Sequence, residues 1–259
     1  MWMGVVPAYN EAESIAHVIN TLLSANIDQI ILVANGCTDN TCEAAACTAA
    51  PHLLQIISFP EPIGIDMPRA IGAAYAKQFQ PSGIVFIDGD MKGELTDTVL
   101  KLVDGIRQGL DMALTNCYPY VTLRSDLAAL VLRERSILNQ RLGLSKILGL
   151  ASPSHGPHAV SARFLECVPL KALAIPPLSL AIAALNNLRI DVAAAIAHDL
   201  LCSDARDSDH ADLIAHTIIE DCRQALKYLD GEPLNKVLGL PPEPGGYRIQ
   251  RRFDLLAAL

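Results

Sequence analysis

Two acidic residues separated by one glycine, Asp88-Gly89-Asp90, point most clearly to a chemical function in this sequence. They directly follow an apolar run from Gly83 to Ile87. Carboxylates this close repel each other unless a cation lies beside them. Oxygen donors suit Mg²⁺ or Mn²⁺, which bind through one or two carboxylates and the phosphates of a substrate. The pattern predicts such a metal site at the end of a strand, with a solvated Asp-Gly turn as the alternative.

Polar residues also follow the three preceding apolar runs. These polar segments are Pro7–Glu11, Ala34–Asp39 and Pro60–Arg69. In open α/β sheets, ligands bind outside the carboxyl ends of the strands. The four segments therefore predict a single crevice along one edge of a sheet.

The elements that position these segments alternate in type over residues 3–115. Continuous apolar runs separated by amphipathic patterns indicate βαβ units and a sheet buried on both faces. Strands are predicted at Met3–Val6, Gln29–Val33, Leu53–Ser58, Gly83–Ile87 and Met112–Thr115. Helices are predicted near Glu11–Ser24, Asp39–Ala49, Met67–Gln78 and Leu95–Gln108. Asn10 with Glu13 resembles a capping box, and Thr38 or Asp39 can cap the next helix.

The alternation breaks after about Tyr118. One or two helices are expected over Asp126–Leu148, followed by a loop rich in Pro, Gly and His at Ser152–His158. The remaining expectations are an apolar run at Ala159–Val160, a short helix at Ala162–Val168, a helix at Leu178–Leu188, a strand at Arg189–Ile196, a helix at His210–Leu229 and an irregular basic tail. No repeat or linker divides the chain, so we expect one α/β domain.

Composition excludes several classes of protein. With 51% hydrophobic and 19% charged residues among 259, the chain is not a disordered one. The net charge of −8 argues against a nucleic-acid binder, which needs a basic surface. The seven cysteines match no zinc spacing, so we expect free, mostly buried thiols in a reducing cytoplasm. We expect neither a signal peptide nor a transmembrane segment.

Three segments together resemble the family 2 glycosyltransferases of the GT-A fold: Val5–Glu11, Asn35–Thr41 and Ile87–Asp90. The resemblance is good over residues 3–90 and loose beyond them. The chain resembles small cytoplasmic members of the family, such as the glucosyl-3-phosphoglycerate synthases, more than the membrane synthases. The resemblance implies a Rossmann-like, mixed and mostly parallel sheet flanked by helices in a single domain. A nucleotide-sugar-binding half would span 1–117, and an acceptor-binding half with a C-terminal helix and basic tail would span 118–259.

The resemblance also implies roles for the crevice residues. A uridine-type base and its ribose would be held by the first loop, through Pro7, Ala8, Tyr9 and Glu11. Asn35 would contact the base or ribose, and Gly64 to Arg69 would close over the nucleotide. Asp88 would face the ribose or the metal, and Asp90 would bind Mg²⁺ or Mn²⁺ between the two phosphates, where the metal stabilises the leaving group.

Two segments depart from the family pattern. Ala34-Asn35-Gly36-Cys37 stands where Asp-Asp-Gly-Ser is usual, and the loss of two carboxylates would change the base preference or weaken binding. The loop that often offers a lysine to the nucleotide has Asp66 and Arg69 instead. We assign the cationic role to Arg69, with an ordinary helix-surface charge as the alternative.

A distant residue often completes the metal site in these enzymes. His198 is the candidate, and His155 and His158 are its rivals. The loop that carries His155, Gly156 and His158 lies where related enzymes bind the acceptor, with a plain connection as the alternative. Without such a role, each histidine would be a hydrogen-bonded core or surface group.

The catalytic base is less defined. An inverting enzyme needs a carboxylate that deprotonates the acceptor, and Asp199 is the candidate by position. Glu220-Asp221 is predicted on a solvated helix face. Without a base, a retaining mechanism is open, in which the donor phosphate takes the proton.

Two arginine groups have two interpretations each. Arg133, Arg135 and Arg141, and the tail residues Arg248, Arg251 and Arg252, would recognise a phosphorylated or carboxylated acceptor or the pyrophosphate, or would be solvated charges. The leucine-rich face of residues 126–150 packs in the core or contacts a membrane surface or a second subunit, as in a homodimer.

These observations predict a cytoplasmic, metal-dependent glycosyltransferase. It would move a sugar from a nucleoside diphosphate, UDP in the first instance, to a small or phosphorylated acceptor. The alternatives are a sugar-phosphate nucleotidyltransferase, although the first loop lacks the glycines and basic residue this needs, and a non-catalytic nucleotide-sugar-binding protein.

Overall fold

A computed structural model describes residues 1–121, 125–203, 208–239, 246 and 251–257, and the side chains of 208–210 are not described. The strands are β1 (Trp2–Ala8), β2 (Gln29–Asn35), β3 (Leu54–Phe59), β4 (Gly83–Phe86), β5 (Met112–Asn116), β6 (His158–Ser161) and β7 (Ile190–Ala195). The helices are α1 (Ile15–Ser24), α2 (Thr41–Thr48), α3 (Met67–Lys77), α4 (Thr96–Arg107), α5 (Asp126–Arg141), α6 (Ser145–Leu148), α7 (Ala162–Cys167), α8 (Pro176–Leu185), α9 (Ser208–Leu229) and α10 (Leu234–Leu238). Short 3₁₀ helices cover Leu170–Ala174, His198–Leu201 and Phe253–Ala257.

The strands form one seven-stranded sheet in the order β3-β2-β1-β4-β6-β5-β7. All neighbouring pairs are parallel except those of β6, which runs antiparallel to both β4 and β5. The predicted single domain with a mixed, mostly parallel sheet is therefore confirmed. Strand β6 was not predicted, because its four residues are too few to show a period.

Helices cover both faces of the sheet, as the continuous apolar strands predict. Val5 and Val33 face the side covered by α3 and α8, whereas Val6 and Leu32 face α1 and α4. The close approach of α3 to β1 depends on Gly72, since a Cβ there would collide with Val5 Cγ1. This packing brings the N-terminus of α3 to the carboxyl ends of the parallel strands.

The predicted capping box at Asn10 and Glu13 is wrong. Helix α1 begins at Ile15 after an N-cap at Ser14. Asn10 instead adopts a left-handed conformation, with φ of 57°, which asparagine tolerates. Its side chain accepts a hydrogen bond from Thr38 N at 2.8 Å and so ties the first loop to the second.

Other expectations about local structure are confirmed or corrected. The expected helices over 126–148 are α5 and α6, and the one near 178–188 begins earlier, at Pro176. All seven cysteines are free, but only Cys117 and Cys222 are buried, so the expectation of mostly buried thiols is wrong. Among the described helices, none has the length and apolar character to cross a membrane.

Candidate active site

Hydrogen bonds join the four strand-end loops into one continuous rim. Gly36 N donates to Phe59 O at 3.0 Å, which joins the second loop to the end of β3. Gly89 N donates to Pro7 O at 3.0 Å, which joins the fourth loop to the first. The predicted crevice residues are therefore neighbours in space.

The first loop presents one open aromatic ring and one buried carboxylate. Tyr9 is 43% exposed at the rim, whereas Glu11 is 7% exposed and accepts a hydrogen bond from Ser14 Oγ at 3.2 Å. Pro7 and Ala8 are the last residues of β1, and Ala8 lies against Gly89. Tyr9 is thus open to a planar ligand, and Glu11 lies beneath the rim.

The side chain of Asn35 is used by the protein itself. Its Oδ1 accepts from Ile63 N at 2.7 Å, and its Nδ2 donates to Gly64 O at 3.3 Å. The family resemblance implied a contact of Asn35 with the base or ribose. The structure places it as a clamp on the loop between β3 and α3, whose Gly64 has φ of 104°.

Arg69 lies at the first turn of α3 and joins two acidic residues. Its Nε donates to Asp66 Oδ1 at 2.8 Å, and its Nη2 donates to Asp88 Oδ1 at 2.5 Å. Arg69 is 5% exposed, so the helix-surface alternative is wrong. Burial opposes the charged form, but Asp88, Asp66 and Asp90 outweigh it and raise the pKa of Arg69. Within the described residues its Nη1 is buried without a hydrogen-bond partner.

Asp90 and His198 lie on turns that contact each other. Gly93, three residues after Asp90, donates its N–H to Leu201 O at 3.0 Å, and Leu201 is three residues after His198. In the described part of the chain, no three His, Cys, Asp or Glu side chains are grouped closely enough to hold a metal alone. Mg²⁺ and Mn²⁺ commonly take one or two protein ligands and complete their coordination with phosphates. Asp88 and Asp90 supply carboxylate oxygens, which suit a divalent cation that takes only one or two ligands from the protein.

His198 belongs to a stack of rings with His155 and Tyr118. Its Nδ1 lies 2.9 Å from His155 Nε2, and the Tyr118 ring stacks on both imidazoles at 5.4 and 6.1 Å. The guanidinium of Arg135 lies 5.7 Å from the centre of the Tyr118 ring. Burial, then the charge of Arg135 and the neighbouring His198, lowers the pKa of His155 well below its ordinary value. His155 is therefore neutral near pH 7.

The other two residues of the predicted acceptor loop face inward. Gly156 has φ of 78°, and a Cβ there would collide with Cys117 Sγ. His158 lies in β6, is 2% exposed and stacks on Phe86 at 4.9 Å. The structure thus places His155 beside His198 and Tyr118, and His158 in the core, away from both roles considered for it.

The candidate bases lie in different surroundings. Asp199 follows His198 on the 3₁₀ turn and is exposed. Glu220 and Asp221 are 6% and 1% exposed, so the prediction of a solvated helix face is wrong. Glu220 accepts from Gln224 at 3.1 Å, and Asp221 is bound by Arg251.

The arginines also separate into groups. Arg133 and Arg141 are exposed, and Arg141 pairs with Asp230. Arg135 is 2% exposed, and its Nε is buried without a partner among the described residues. Arg252 is exposed and paired with Asp254, and Arg248 lies outside the described residues.

Tyr118 was not singled out from the sequence, and Asp66 and Arg251 have contacts that the sequence did not indicate. Tyr118 follows β5 directly, and its place at another strand end was the available signal. Asp66 was noted only as a departure from the family pattern, but it holds Arg69. The role of Arg251 at the β3–α3 loop had no local signal, because its partners are far away in sequence.

Comparison with known proteins assigns this arrangement to a family. Residues 5–159, more than half of the chain, match Glycosyl transferase family 2. The chain belongs to this family. Among curated proteins, glycosyltransferase AglJ of Haloferax volcanii is 30% identical over 107 residues, which are 41% of this chain. The chain spans about a third, 33%, of the length of that curated relative.

Solved structures confirm the fold. Glucosyl-3-phosphoglycerate synthase from Mycobacterium tuberculosis, in complex with phosphoglyceric acid, matches with a TM-score of 0.65 at 19% identity. The same enzyme with Mn²⁺, UDP and glucosyl-3-phosphoglycerate matches with a TM-score of 0.63 at 20% identity. Both alignments cover 87% of this chain and 79% of the other. The GT-A architecture expected from the sequence is thus the one observed.

Proposed function

We propose that this chain is a metal-dependent glycosyltransferase that moves a sugar from a nucleoside diphosphate, UDP in the first instance, to a small phosphorylated acceptor. The observation that carries this proposal is the joined rim, in which Arg69 binds Asp88 while Asp90 lies two residues further along the same loop. Membership of the family favours glycosyl transfer over the nucleotidyltransferase alternative. UDP is favoured because the structurally similar synthase has been solved with it.

The donor would lie across the carboxyl ends of β1, β2 and β4. Tyr9 offers an open ring for the base, and Pro7 and Ala8 form the adjoining backbone. Glu11 lies beneath the rim near Gly89, from where a carboxylate suits ribose hydroxyls. Gly64 and its clamp Asn35 shape the wall of the site.

The pyrophosphate would face the acidic turn, which is formed by Asp88-Gly89-Asp90. Arg69 has a buried Nη1 with no partner among the described residues, and we assign that donor to a phosphate oxygen. Asp90 would hold Mg²⁺ or Mn²⁺, with Asp88 beside it and His198 as the third ligand. The metal would act as a Lewis acid that stabilises the leaving nucleoside diphosphate. Since His198 contacts His155 through Nδ1, its Nε2 is the atom assigned to the metal.

The acceptor would bind on the side of the stacked rings. His155 is neutral there and able to donate or accept a hydrogen bond, and Gly156 shapes the turn that carries it. The guanidinium of Arg135 lies 5.7 Å from the centre of the Tyr118 ring, and we assign to it the attraction of a phosphate or carboxylate on the acceptor. Structures of the similar synthase contain phosphoglyceric acid, which is consistent with this class.

Proton removal is assigned to Asp199, which is exposed beside His198. A carboxylate at this place would act as the general base of an inverting transfer. Asp221 is not a candidate, since Arg251 occupies its carboxylate. Analysis of product anomers by NMR tests this step, and a retained configuration would exclude Asp199 as the base.

Nucleotide binding is the first test of the proposal. UDP, GDP, CDP and ADP would be compared with and without Mn²⁺ by thermal shift and calorimetry. A ligand at about 100 times its Kd stabilises the native state by about 2.7 kcal/mol. We expect UDP to stabilise the protein only with metal, and Asp90→Ala to abolish the effect. Asp97→Ala is the matched control, because Asp97 is an exposed acid on α4 that pairs with Lys101. If no nucleotide stabilises the wild type, the proposed function is wrong.

A further inference from the structure

The C-terminal segment 251–257 packs against the loop between β3 and α3. Arg252 N donates to Ile63 O at 3.0 Å, and Arg251 Nε donates to Ile65 O at 3.3 Å. Gly64 lies between these two carbonyl groups, and a Cβ there would come within 2.8 Å of Arg251 Cα. Arg251 and Arg252 are therefore in direct contact with a wall of the proposed donor site.

Arg251 is itself anchored in the core of the second half. Its Nη2 lies 2.9 and 2.8 Å from the two carboxylate oxygens of Asp221 on α9. The Asp221 side chain is 1% exposed, and that of Arg251 is 13% exposed. Buried charges are tolerated when they are paired and hydrogen-bonded, as both are here. Asp221 thus fixes the position of the Arg251 guanidinium.

The same loop is held from its other side by Asn35, which binds Ile63 N and Gly64 O. Residues 63–65 therefore have backbone groups fixed from two directions, by β2 and by the C-terminal segment. The next residue, Asp66, binds Arg69, and Arg69 binds Asp88. A continuous chain of polar contacts runs from the Asp221–Arg251 pair to the acidic turn.

We propose that Arg251, anchored by Asp221, is a positioning residue for the donor site. It orders residues 63–66 before the nucleotide arrives, so that binding does not have to order this loop. Preorganisation of this kind raises affinity by reducing the conformational entropy lost on binding. This inference rests on the proposed function, since it assumes that a nucleoside diphosphate binds beside the loop.

Variants of the two adjacent arginines test the inference. Arg251→Lys keeps a positive charge for Asp221 but removes the Nε–H that binds Ile65 O. Arg252→Ala is the matched control, because the Arg252 side chain is exposed and pairs only with the exposed Asp254 among the described residues. The backbone N–H of residue 252, which donates to Ile63 O, remains in this variant. Because Arg251→Ala would leave a buried carboxylate unpaired, the double variant Asp221→Asn/Arg251→Gln replaces it as the stronger perturbation.

The readouts are UDP affinity with Mn²⁺ by calorimetry, hydrogen exchange of residues 60–66 and thermal unfolding without nucleotide. For Arg251→Lys we expect about tenfold weaker UDP binding and faster exchange in 60–66, with little change in unfolding temperature. The double variant should show a larger loss of affinity, and Arg252→Ala should behave as wild type. Saturating UDP should restore protection of 60–66 in Arg251→Lys.

Two results would overturn the inference separately from the proposed function. Wild-type protein that binds UDP, together with Arg251 variants of unchanged affinity, would leave the function standing and refute the role of Arg251. Equal losses in Arg251→Lys and Arg252→Ala would show a general effect of the tail and also refute it. Wild-type protein that binds none of the four nucleoside diphosphates would refute the proposed function, and with it any role of Arg251 in donor binding.

Discussion

The buried histidine of β6 makes the acid stability of this protein predictable. His158 is 2% exposed and stacks on Phe86, and within the described residues its Nδ1 has no hydrogen-bond partner. Burial, followed by the charge of Arg69, lowers its pKa to about 3. The folded protein therefore keeps this ring neutral at pH values where an imidazole in water binds a proton.

The sign and size of the effect follow from this difference. Between its unfolded pKa of about 6.5 and pH 5, the unfolded chain takes up a proton that the folded ring refuses. Above the unfolded pKa, His158 therefore does not lower the free energy of unfolding. As the pH falls from there toward 3, the free energy of unfolding decreases. About 1.5 pH units at about 1.4 kcal/mol each give a loss of about 2 kcal/mol at pH 5.

The assay compares wild type with His158→Phe, which retains a planar ring against Phe86 but does not titrate. Urea unfolding would be followed by the fluorescence of Trp2, the single tryptophan, which is 8% exposed in the folded protein. The phenyl ring changes the packing energy by an amount that does not depend on pH. The pH dependence of the difference in unfolding free energy, wild type minus variant, therefore reports the imidazole alone. Between about pH 7.5 and pH 5, the wild type should lose about 2 kcal/mol of unfolding free energy relative to the variant.

His52→Gln serves as the control, because His52 is exposed in the folded protein and contacts water in both states. This variant controls for the loss of a histidine at a position outside the core. Parallel curves for wild type and His158→Phe would show that the ring is accessible to protons in the native state. In that case the placement of His158 in the core would be wrong.

Two further substitutions probe the elements that position the rim. Gly72→Ala should lower the free energy of unfolding by about 1–3 kcal/mol in urea titration, because its Cβ would collide with Val5 and push α3 from β1. A cost below about 0.5 kcal/mol, as expected at a surface position, would contradict this packing. Arg69→Met should cost about 3 kcal/mol, the lower end for a broken buried pair because Asp88 is 29% exposed, and should also weaken UDP binding. Unchanged stability in urea would show that Asp66 and Asp88 do not need their shared cation.

Much of the fold was predictable because it is encoded locally. The first five strands and four helices were placed from apolar runs and helical periods, with boundary errors of a few residues. Boundary signals were weaker: Asn10 has the residue type of a helix cap but joins two loops instead. The strand β6 was missed because an antiparallel insertion between β4 and β5 depends on partners far away in the chain.

The candidate site was predictable as a set of positions but not as a set of contacts. Polar residues at the ends of parallel strands must meet, since those ends share one edge of the sheet. Which atom each side chain binds is a separate matter. Asn35 has the chemistry of a ligand-binding amide, yet both of its polar groups are used by Ile63 and Gly64.

The sequence by itself determined the α/β alternation, the four polar strand ends and the acidic pair Asp88 and Asp90, because each is a local pattern of residue types. Only the tertiary structure decided that His158 is buried, that Arg69 binds Asp88 and that Arg251 holds the β3–α3 loop. The physical reason is distance along the chain. Arg251 and Ile65 are 186 positions apart, and no local propensity specifies a contact that exists only after the sheet and α9 have packed.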